Sequence, residues 1–212
     1  MTKKGKKNKI DHPLLRHKLG HLRDSQTDSK EFRDIMKEIS RILAYEVMSD
    51  WSQVESVEIE TPLAKTNVER IIQGPIVVSV LRAGNGMLDG VLSTIPFAQV
   101  GFIGIYRDKF INNTVEYYFK LPNEVKNKEI ILCDPLLATG DTLIACIDRL
   151  KSYEVGKIKV LSILASKEGL ERIQTLHSDV DFYFIDEEKE LNEKGYLVPG
   201  LGDAGDRLFQ TQ

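Results

Sequence analysis

Short apolar segments alternate with amphipathic helical segments through most of this chain, and this alternation limits the folds available to it. The apolar segments occupy residues 75–81, 99–106, 129–133, 157–166 and 181–185. Helical periodicity follows three of them, at 83–95, 142–153 and 167–177. Strands that alternate with helices favour a parallel sheet covered on both faces. We therefore predict an α/β fold with a mostly parallel, twisted sheet flanked by helices.

An N-terminal helical extension precedes this region. Residues 28–50 place apolar side chains on one helical face, and Asp28 with Glu31 forms a plausible capping pair. The stretch before it is rich in histidine (His12, His17 and His21), but it has no nearby carboxylate cluster and Pro13 interrupts its first turn, so we do not expect a metal site there.

The first nine residues, MTKKGKKNK, are basic and are not followed by the apolar segment of a secretory signal. We predict a disordered basic tail over residues 1–9 and a single domain over residues 10–212. A net charge of -3 gives no general attraction to nucleic acid.

No apolar segment approaches the roughly 20 residues that a membrane-spanning helix needs, so no membrane partner is predicted. The two cysteines, Cys133 and Cys146, lie in apolar surroundings and lack the spacing of metal ligands. Such a pair is typical of a reducing compartment, which predicts a cytoplasmic protein.

The first junction between a strand and a helix reads VLRAGNGMLDG. Gly84, Gly86 and Gly90 come close to a dinucleotide-binding fingerprint, and Asp108 ends the next strand. However, Arg82 stands where such a loop has a small residue, and a guanidinium suits a diphosphate, which it can bind with two parallel hydrogen bonds. A glycine-rich turn with a surface arginine is an equal alternative for this junction taken by itself.

The second junction reads DPLLATGDT, and it joins an apolar strand to a helix. The N–H groups at a helix start bind phosphate well, Gly140 allows close backbone approach, and Thr139 and Thr142 add hydroxyl groups. Asp134, at the strand end, could accept hydrogen bonds from sugar hydroxyls. The alternative is a purely structural turn with an N-cap, but the pattern favours a sugar-phosphate site.

The third junction reads YRD. Arg107 ends a strand and leads into the polar segment DKFINN. A second arginine near Arg82 could hold a diphosphate, although a strand-end arginine is the simpler interpretation of this junction alone. The last segment, GYLVPGLGDAGDRLFQTQ, is rich in glycine and is either a long ordered loop or a flexible tail.

Taken together, HPLLRHKLGHLRD, LRAGNGM, YRD, DPLLATGDT and GYLVPGLGDAGDRLF resemble the uracil phosphoribosyltransferases, within the type I phosphoribosyltransferase fold. The resemblance runs from about His12 to the C-terminus, and the last motif is its most specific part. It implies that uracil and 5-phospho-α-D-ribose 1-diphosphate (PRPP) give UMP and diphosphate, with Mg²⁺ held through PRPP. It also implies a homodimer or higher homo-oligomer, with GTP as a candidate allosteric activator.

The resemblance also implies roles for individual residues. The catalytic set would be Arg82, Arg107 and Asp203. PRPP would contact these three together with Asp134, Pro135, Leu136, Leu137, Ala138, Thr139, Gly140, Asp141 and Thr142. A C-terminal segment would bind the base through Leu197, Gly202, Asp203 and Ala204.

Two residues depart from the family pattern. Asp141 replaces the second glycine of the phosphate loop, and a carboxylate there repels a phosphate by about 1 kcal/mol when well solvated. Asn85 replaces a leucine beside the expected diphosphate site. These changes keep one alternative open, a catalytically weak nucleotide-binding regulator on the same fold.

Overall fold

The computed structural model describes residues 4–108 and 113–211, with the backbone only for Arg107, Asp108 and Asn113. The helices are α1 (Pro13–Arg23), α2 (Ser29–Val47), α3 (Asn85–Thr94), α4 (Asp141–Lys151), α5 (Lys167–Leu176) and α6 (Ala204–Phe209). The strands are β1 (Lys7–Lys9), β2 (Val54–Glu60), β3 (Lys65–Ile71), β4 (Ile76–Leu81), β5 (Gln99–Asp108), β6 (Asn113–Lys120), β7 (Ile130–Cys133), β8 (Leu136–Leu137), β9 (Ile158–Leu161), β10 (Leu164–Ser166), β11 (Asp181–Phe184), β12 (Asp186–Glu188), β13 (Glu190–Leu191) and β14 (Leu197–Val198).

Within the described residues, the main sheet has seven strands in the order β1-β11-β9-β7-β4-β5-β6. Its neighbouring strands run parallel except β5 and β6, which are antiparallel. The predicted α/β fold with a mostly parallel sheet is therefore confirmed.

Helices cover both faces of the sheet because successive strand residues point to opposite sides. Val77 and Ile131 face a core formed with α1, α2, α3 and α6. Val78 and Leu132, the next residues along the same strands, face a core formed with α4 and α5. No helix within residues 4–108 and 113–211 combines the length and the apolar character needed to cross a membrane.

The start of the chain differs from the sequence prediction. Residues 7–9, expected to belong to a disordered tail, form β1 and pair in parallel with β11. The side chain of Asp181 accepts a hydrogen bond from the backbone N–H of Lys6 at 2.8 Å, which helps to hold this edge strand. Pro13 does not disrupt a helix but begins α1, because the first helical position needs no N–H donor.

The predicted strand at 157–166 is interrupted after four residues. The chain bends between β9 and β10, and β10 leaves the main sheet to join a small sheet in the order β12-β10-β8. Two hydrogen bonds hold the bend between β9 and β10. The N–H groups of Ile163 and Leu164 both donate to the carbonyl of Pro135, at 2.9 and 3.1 Å. The segment that follows β7 is thereby fixed beside the main sheet.

Candidate functional site

The carboxyl ends of β4, β5 and β7 lie side by side in the main sheet. Ser79 of β4 pairs with Cys133 of β7, and Leu81 of β4 pairs with Gly104 of β5, all in parallel. The chain runs from β4 to β5 on one side and returns to β7 on the other. Such a reversal of strand order leaves a crevice beyond the carboxyl ends of the strands, where ligands bind in open α/β sheets.

The loop after β4 packs against the neighbouring strand end. A Cβ atom on Gly84 would lie 2.3 Å from the carbonyl oxygen of Cys133 and 2.6 Å from that of Val80, so only glycine fits there. Asn85 begins α3 and is exposed. The peptide bond between Leu81 and Arg82 is cis.

Arg82 extends from this loop toward the C-terminal segment. Its guanidinium donates to Thr211 Oγ1 at 2.8 Å and to Asp206 Oδ1 at 3.1 Å. Its side chain is 52% exposed, so the cation is oriented by these contacts and still reachable from solvent. An anion in the crevice could therefore bind this guanidinium.

The loop after β7 has the geometry of an anion site. Gly140 has a φ of 86° and precedes α4 without a side-chain cap, so the N–H groups of the first turn keep their capacity for an anion. A small pocket of about 80 Å³ lies here, and it is lined by Asp134, Leu136, Leu137, Ala138, Thr139, Gly140, Asp141, Thr142 and Leu143.

Not every predicted member of this loop presents a side chain to the pocket. Pro135 and Leu137 are buried and pack in the protein interior. Thr139, Asp141 and Thr142 are partly exposed. Any contact that the buried pair makes with a ligand would therefore go through the backbone.

Asp134 lies among the pocket residues with a perturbed carboxyl group. Burial raises its pKa to about 7, opposed by a long hydrogen bond from the N–H of Leu136 at 3.5 Å. A carboxyl group with this pKa exchanges its proton near neutral pH. It can accept hydrogen bonds as a carboxylate or donate one when it is protonated.

Arg172 contacts the candidate phosphate loop, and the sequence analysis missed it. Its Nη1 lies 2.6 Å from Asp141 Oδ1 and donates to the carbonyl of Thr139 at 3.0 Å. The hydroxyl of Thr139 donates to Asp141 Oδ2 at 2.9 Å. No local pattern predicted this contact, because Arg172 follows the loop by some thirty residues, on α5.

The glycine-rich C-terminal segment is ordered and lies across the crevice. A Cβ atom on Gly195 would be 3.7 Å from Thr139 Cγ2, and one on Gly205 would be 3.6 Å from Arg82 Nη2. The segment therefore lies next to the loop after β7 at Gly195 and next to Arg82, from the loop after β4, at Gly205.

The four predicted base-binding residues lie within this segment. Leu197 and Ala204 are buried, and Gly202 has a φ of 79°. Asp203 begins α6 by accepting the N–H of Asp206 at 3.0 Å, and it also accepts the hydroxyl of Tyr196 at 3.4 Å. The negative charge of Asp203 raises the pKa of Tyr196. Recognition by this segment would depend on backbone groups and on Asp203.

Arg107 and the three histidines are the remaining residues that the sequence analysis considered. Arg107 lies in β5, where its backbone pairs with that of Thr114, and its side chain is outside the described part. His12 caps α1 by accepting the N–H of Leu14 at 3.1 Å. The rings of His17 and His21 pack edge to face with centroids 4.8 Å apart.

The model of the family described as "Uracil phosphoribosyltransferase" matches residues 9–211. The chain is 46% identical over 209 residues to a uracil phosphoribosyltransferase of Geobacillus kaustophilus, which covers 98% of this chain and 100% of that protein.

Solved structures are similar as well. The AQ2163 protein from Aquifex aeolicus has a TM-score of 0.91 at 35% identity and covers 97% of this chain and 99% of its own. Adenine phosphoribosyltransferase from Leishmania donovani has a TM-score of 0.58 at 12% identity, covering 89% of this chain and 86% of that chain, and it supports the fold alone.

Proposed function

The chain belongs to the uracil phosphoribosyltransferase family, and we propose that it transfers the 5-phosphoribosyl group of PRPP to N1 of uracil, which gives UMP and diphosphate. One observation carries the proposal. A single segment, from Gly195 to Gly205, lies next to Thr139 in the loop that precedes α4 and next to the exposed Arg82. A ligand in this crevice would have an anion site at each end and backbone amides between them, which suits a ribose with a phosphate at one end and a diphosphate at the other, beside a small base.

The two anionic ends of PRPP would bind by different means. The 5′-phosphate would accept hydrogen bonds from the N–H groups that begin α4 and from the hydroxyl of Thr142. The diphosphate would bind the exposed side of the Arg82 guanidinium, which Asp206 and Thr211 hold in place, with Arg107 as the second predicted arginine. Asp134 would accept hydrogen bonds from the ribose hydroxyls.

Bond making and breaking then follow from charge and position. The bond between C1 of the ribose and the diphosphate oxygen breaks, and its electron pair leaves with the diphosphate. The N1 nitrogen of uracil forms the new bond to C1 and loses its proton. Arg82 lowers the barrier by stabilising the negative charge that develops on the leaving group, and the loops contribute by holding the reactants in place. Asp203, next to the base segment, is a candidate acceptor of that proton.

Uracil would be selected by the backbone at Leu197 and at 202–204. Uracil is small and flat, and it presents amide-like donors and acceptors. Backbone N–H and C=O groups in fixed positions can match the hydrogen-bonding edge of uracil. A base with another pattern of donors and acceptors would leave some of these groups unpaired and would bind less well.

Phosphoribosyltransferases generally use Mg²⁺ with PRPP, and the residues present fit that ion. Among the described residues no group of three metal-ligating side chains lies together, whereas carboxylates such as Asp134 and Asp203 stand singly at the crevice. Mg²⁺ takes few protein ligands and many substrate oxygens, so single carboxylates suit it. When bound, Mg²⁺ supplies positive charge to the leaving diphosphate.

We also propose a homo-oligomer. The hairpin β2–β3 forms a sheet of its own, and a two-stranded hairpin is marginally stable by itself in water. Beside it lies an apolar groove of about 330 Å³ with exposed Tyr45, Ile71 and Phe97. A second copy would cover this surface. Light scattering coupled to gel filtration should give at least a dimer, and Phe97→Asp should shift it toward monomer.

GTP activation and a cytoplasmic location are part of the same proposal. Both cysteines are buried and unpaired, which agrees with a reducing compartment. The rate of UMP formation should rise on addition of GTP, and an unchanged rate would remove GTP from the proposal.

A direct assay tests the activity. Purified protein, PRPP, Mg²⁺ and labelled uracil are incubated, and UMP is separated by chromatography, with hypoxanthine, adenine and orotate run in parallel. Product from uracil and from no other base is expected. No product from any base, together with calorimetric binding of PRPP, would favour the nucleotide-binding regulator instead.

A further inference from the structure

A carboxylate lies inside the loop that is best suited to bind a phosphate. Asp141 is the first residue of α4, directly after Gly140, and it lines the pocket at the helix start. Two like charges in one small site repel each other, and the repulsion grows as water is excluded. The loop therefore needs a device that makes Asp141 compatible with a phosphate.

Arg172 supplies the opposite charge. It contacts Asp141 Oδ1 at 2.6 Å, while the other carboxylate oxygen accepts the hydroxyl of Thr139 at 2.9 Å. The same guanidinium nitrogen donates to the carbonyl of Thr139 at 3.0 Å. Both carboxylate oxygens of Asp141 therefore have a partner. The Asp141–Arg172 ion pair is joined to the loop through the hydroxyl and the carbonyl oxygen of Thr139.

Arg172 is part of a helix that packs directly under the loop. A Cβ atom on Gly169 would lie 2.3 Å from the carbonyl oxygen of Ala138, and the hydroxyl of Ser166 donates to that same oxygen at 2.5 Å. A Cβ atom on Gly140 would lie 3.3 Å from Ile173 Cγ1. Since α5 and the loop are in contact along this line, Arg172 projects from a support that is fixed relative to the phosphate pocket.

We propose that Arg172 is a positioning residue for PRPP, which neutralises Asp141 and holds its carboxylate against Thr139 so that the start of α4 can accept a dianionic phosphate. The inference rests on the proposed function, because it assumes that the 5′-phosphate of PRPP binds at this helix start. The two side chains act as a unit, so their substitutions have strongly non-additive effects on PRPP binding.

Four variants test the pair: Arg172→Ala, Arg172→Lys, Asp141→Ala and the double variant. Steady-state kinetics give kcat and the KM for PRPP, and calorimetry gives the dissociation constants of PRPP and of ribose 5-phosphate. Lys167→Ala is the matched control, since Lys167 is an exposed cation on the same helix, 3.9 Å from Glu171. Thermal melting confirms that every variant is folded.

Arg172→Ala should raise the KM for PRPP about tenfold with little change in kcat, because it leaves the charge of Asp141 beside the phosphate. The same substitution in the Asp141→Ala protein should change that KM by less than about twofold. Arg172→Lys should recover part of the loss, since a lysine restores the charge without the second contact to Thr139. Lys167→Ala should leave both constants unchanged.

The inference would be overturned if Arg172→Ala raised the KM for PRPP equally in the wild type and in the Asp141→Ala protein. It would also be overturned if the KM changed in neither. The ribose 5-phosphate measurement separates this failure from that of the proposed function. Binding of ribose 5-phosphate with additive effects rejects only the pairing. Wild-type protein that binds neither PRPP nor ribose 5-phosphate rejects the proposed function and the pairing together.

Discussion

The two loops that meet beyond the carboxyl ends of β4 and β7 present positive charge by different means. The loop after β4 presents a side-chain cation, Arg82, which is half exposed and held by the C-terminal segment. The loop after β7 presents backbone N–H groups, which depend on the left-handed conformation of Gly140. A side chain can be removed while the fold stays intact, whereas a backbone site cannot be changed without changing the fold around it. Substitutions should therefore separate function from stability in the first loop and link them in the second.

Arg82→Ala should have the largest effect and should act on function alone. Removing the cation should lower kcat/KM for PRPP by about 100-fold or more, because charge on the leaving diphosphate loses its main described partner. The melting temperature should stay close to that of the wild type. Steady-state kinetics and thermal melting measure the two quantities.

Arg149→Ala is the matched control for Arg82→Ala, since Arg149 is a similarly exposed arginine that pairs with Glu116 at 3.1 Å, at the far end of α4. It should leave kcat/KM unchanged. Similar losses of activity in both variants would contradict the role given to Arg82.

Gly140→Ala should affect both quantities in the second loop. Its φ of 86° costs an alanine about 1–2 kcal/mol, so the free energy of unfolding should fall by that amount. The KM for PRPP should rise about tenfold as the helix start shifts. Denaturant unfolding and kinetics on the same preparation would show whether the two losses occur together.

Gly20→Ala is the comparison for Gly140→Ala, because Gly20 lies in α1 with nothing within 4 Å of an added Cβ atom. It should be neutral or slightly stabilising. An alanine at 140 that weakens PRPP binding without any loss of stability would break the contrast between the two loops.

Asp206→Asn should have a smaller effect than removal of Arg82. The amide keeps an acceptor for the guanidinium but removes the charge, so Arg82 would be held less firmly. A fall in kcat/KM for PRPP of about fivefold is expected, which corresponds to about 1 kcal/mol and lies within the range for one ordinary hydrogen bond. Uracil protection of the variant in thermal melts should also weaken if the segment and Arg82 act together. A change as large as that of Arg82→Ala would show that Asp206 has a role of its own.

The smallest effect concerns pH and Asp134. Its pKa of about 7 means that the carboxylate, the proposed acceptor for the ribose hydroxyls, is lost as pH falls through that value. The affinity for PRPP should therefore decrease from pH 8 to pH 6, and Asp134→Asn should flatten this profile.

Stability should depend on pH in the opposite direction to PRPP affinity, and should fall as pH rises. The reason is that the folded-state pKa of Asp134 lies above the ordinary value of 3.8. The ionised form destabilises the fold from above pH 3.8 and does so fully above about pH 7. Asp134→Asn should thus stabilise the protein at pH 8 and not at pH 4. Unfolding curves that differ equally at both values would contradict the assigned pKa.

Most regular elements could be predicted from the sequence. The segment 28–50 became α2, with Asp28 accepting the N–H of Glu31 at 2.8 Å, and the strand at 129–133 became β7 with all four residues buried. The hairpin β2–β3 was overlooked, although VESVEIE alternates as a strand should. β1 could not be predicted, because its residues KNK have no strand pattern of their own. They are extended because they pair with β11.

The sequence by itself determined where strands end and where the candidate phosphate-binding turns begin, because periodicity and turn chemistry are local properties of the chain. Only the tertiary structure decided that β4 lies between β5 and β7, and hence that the two loops share one crevice with residues 195–205. It also paired Asp141 with Arg172. Such contacts depend on strand order and helix packing, which arise from how all the apolar faces are buried together, and no short segment carries that information.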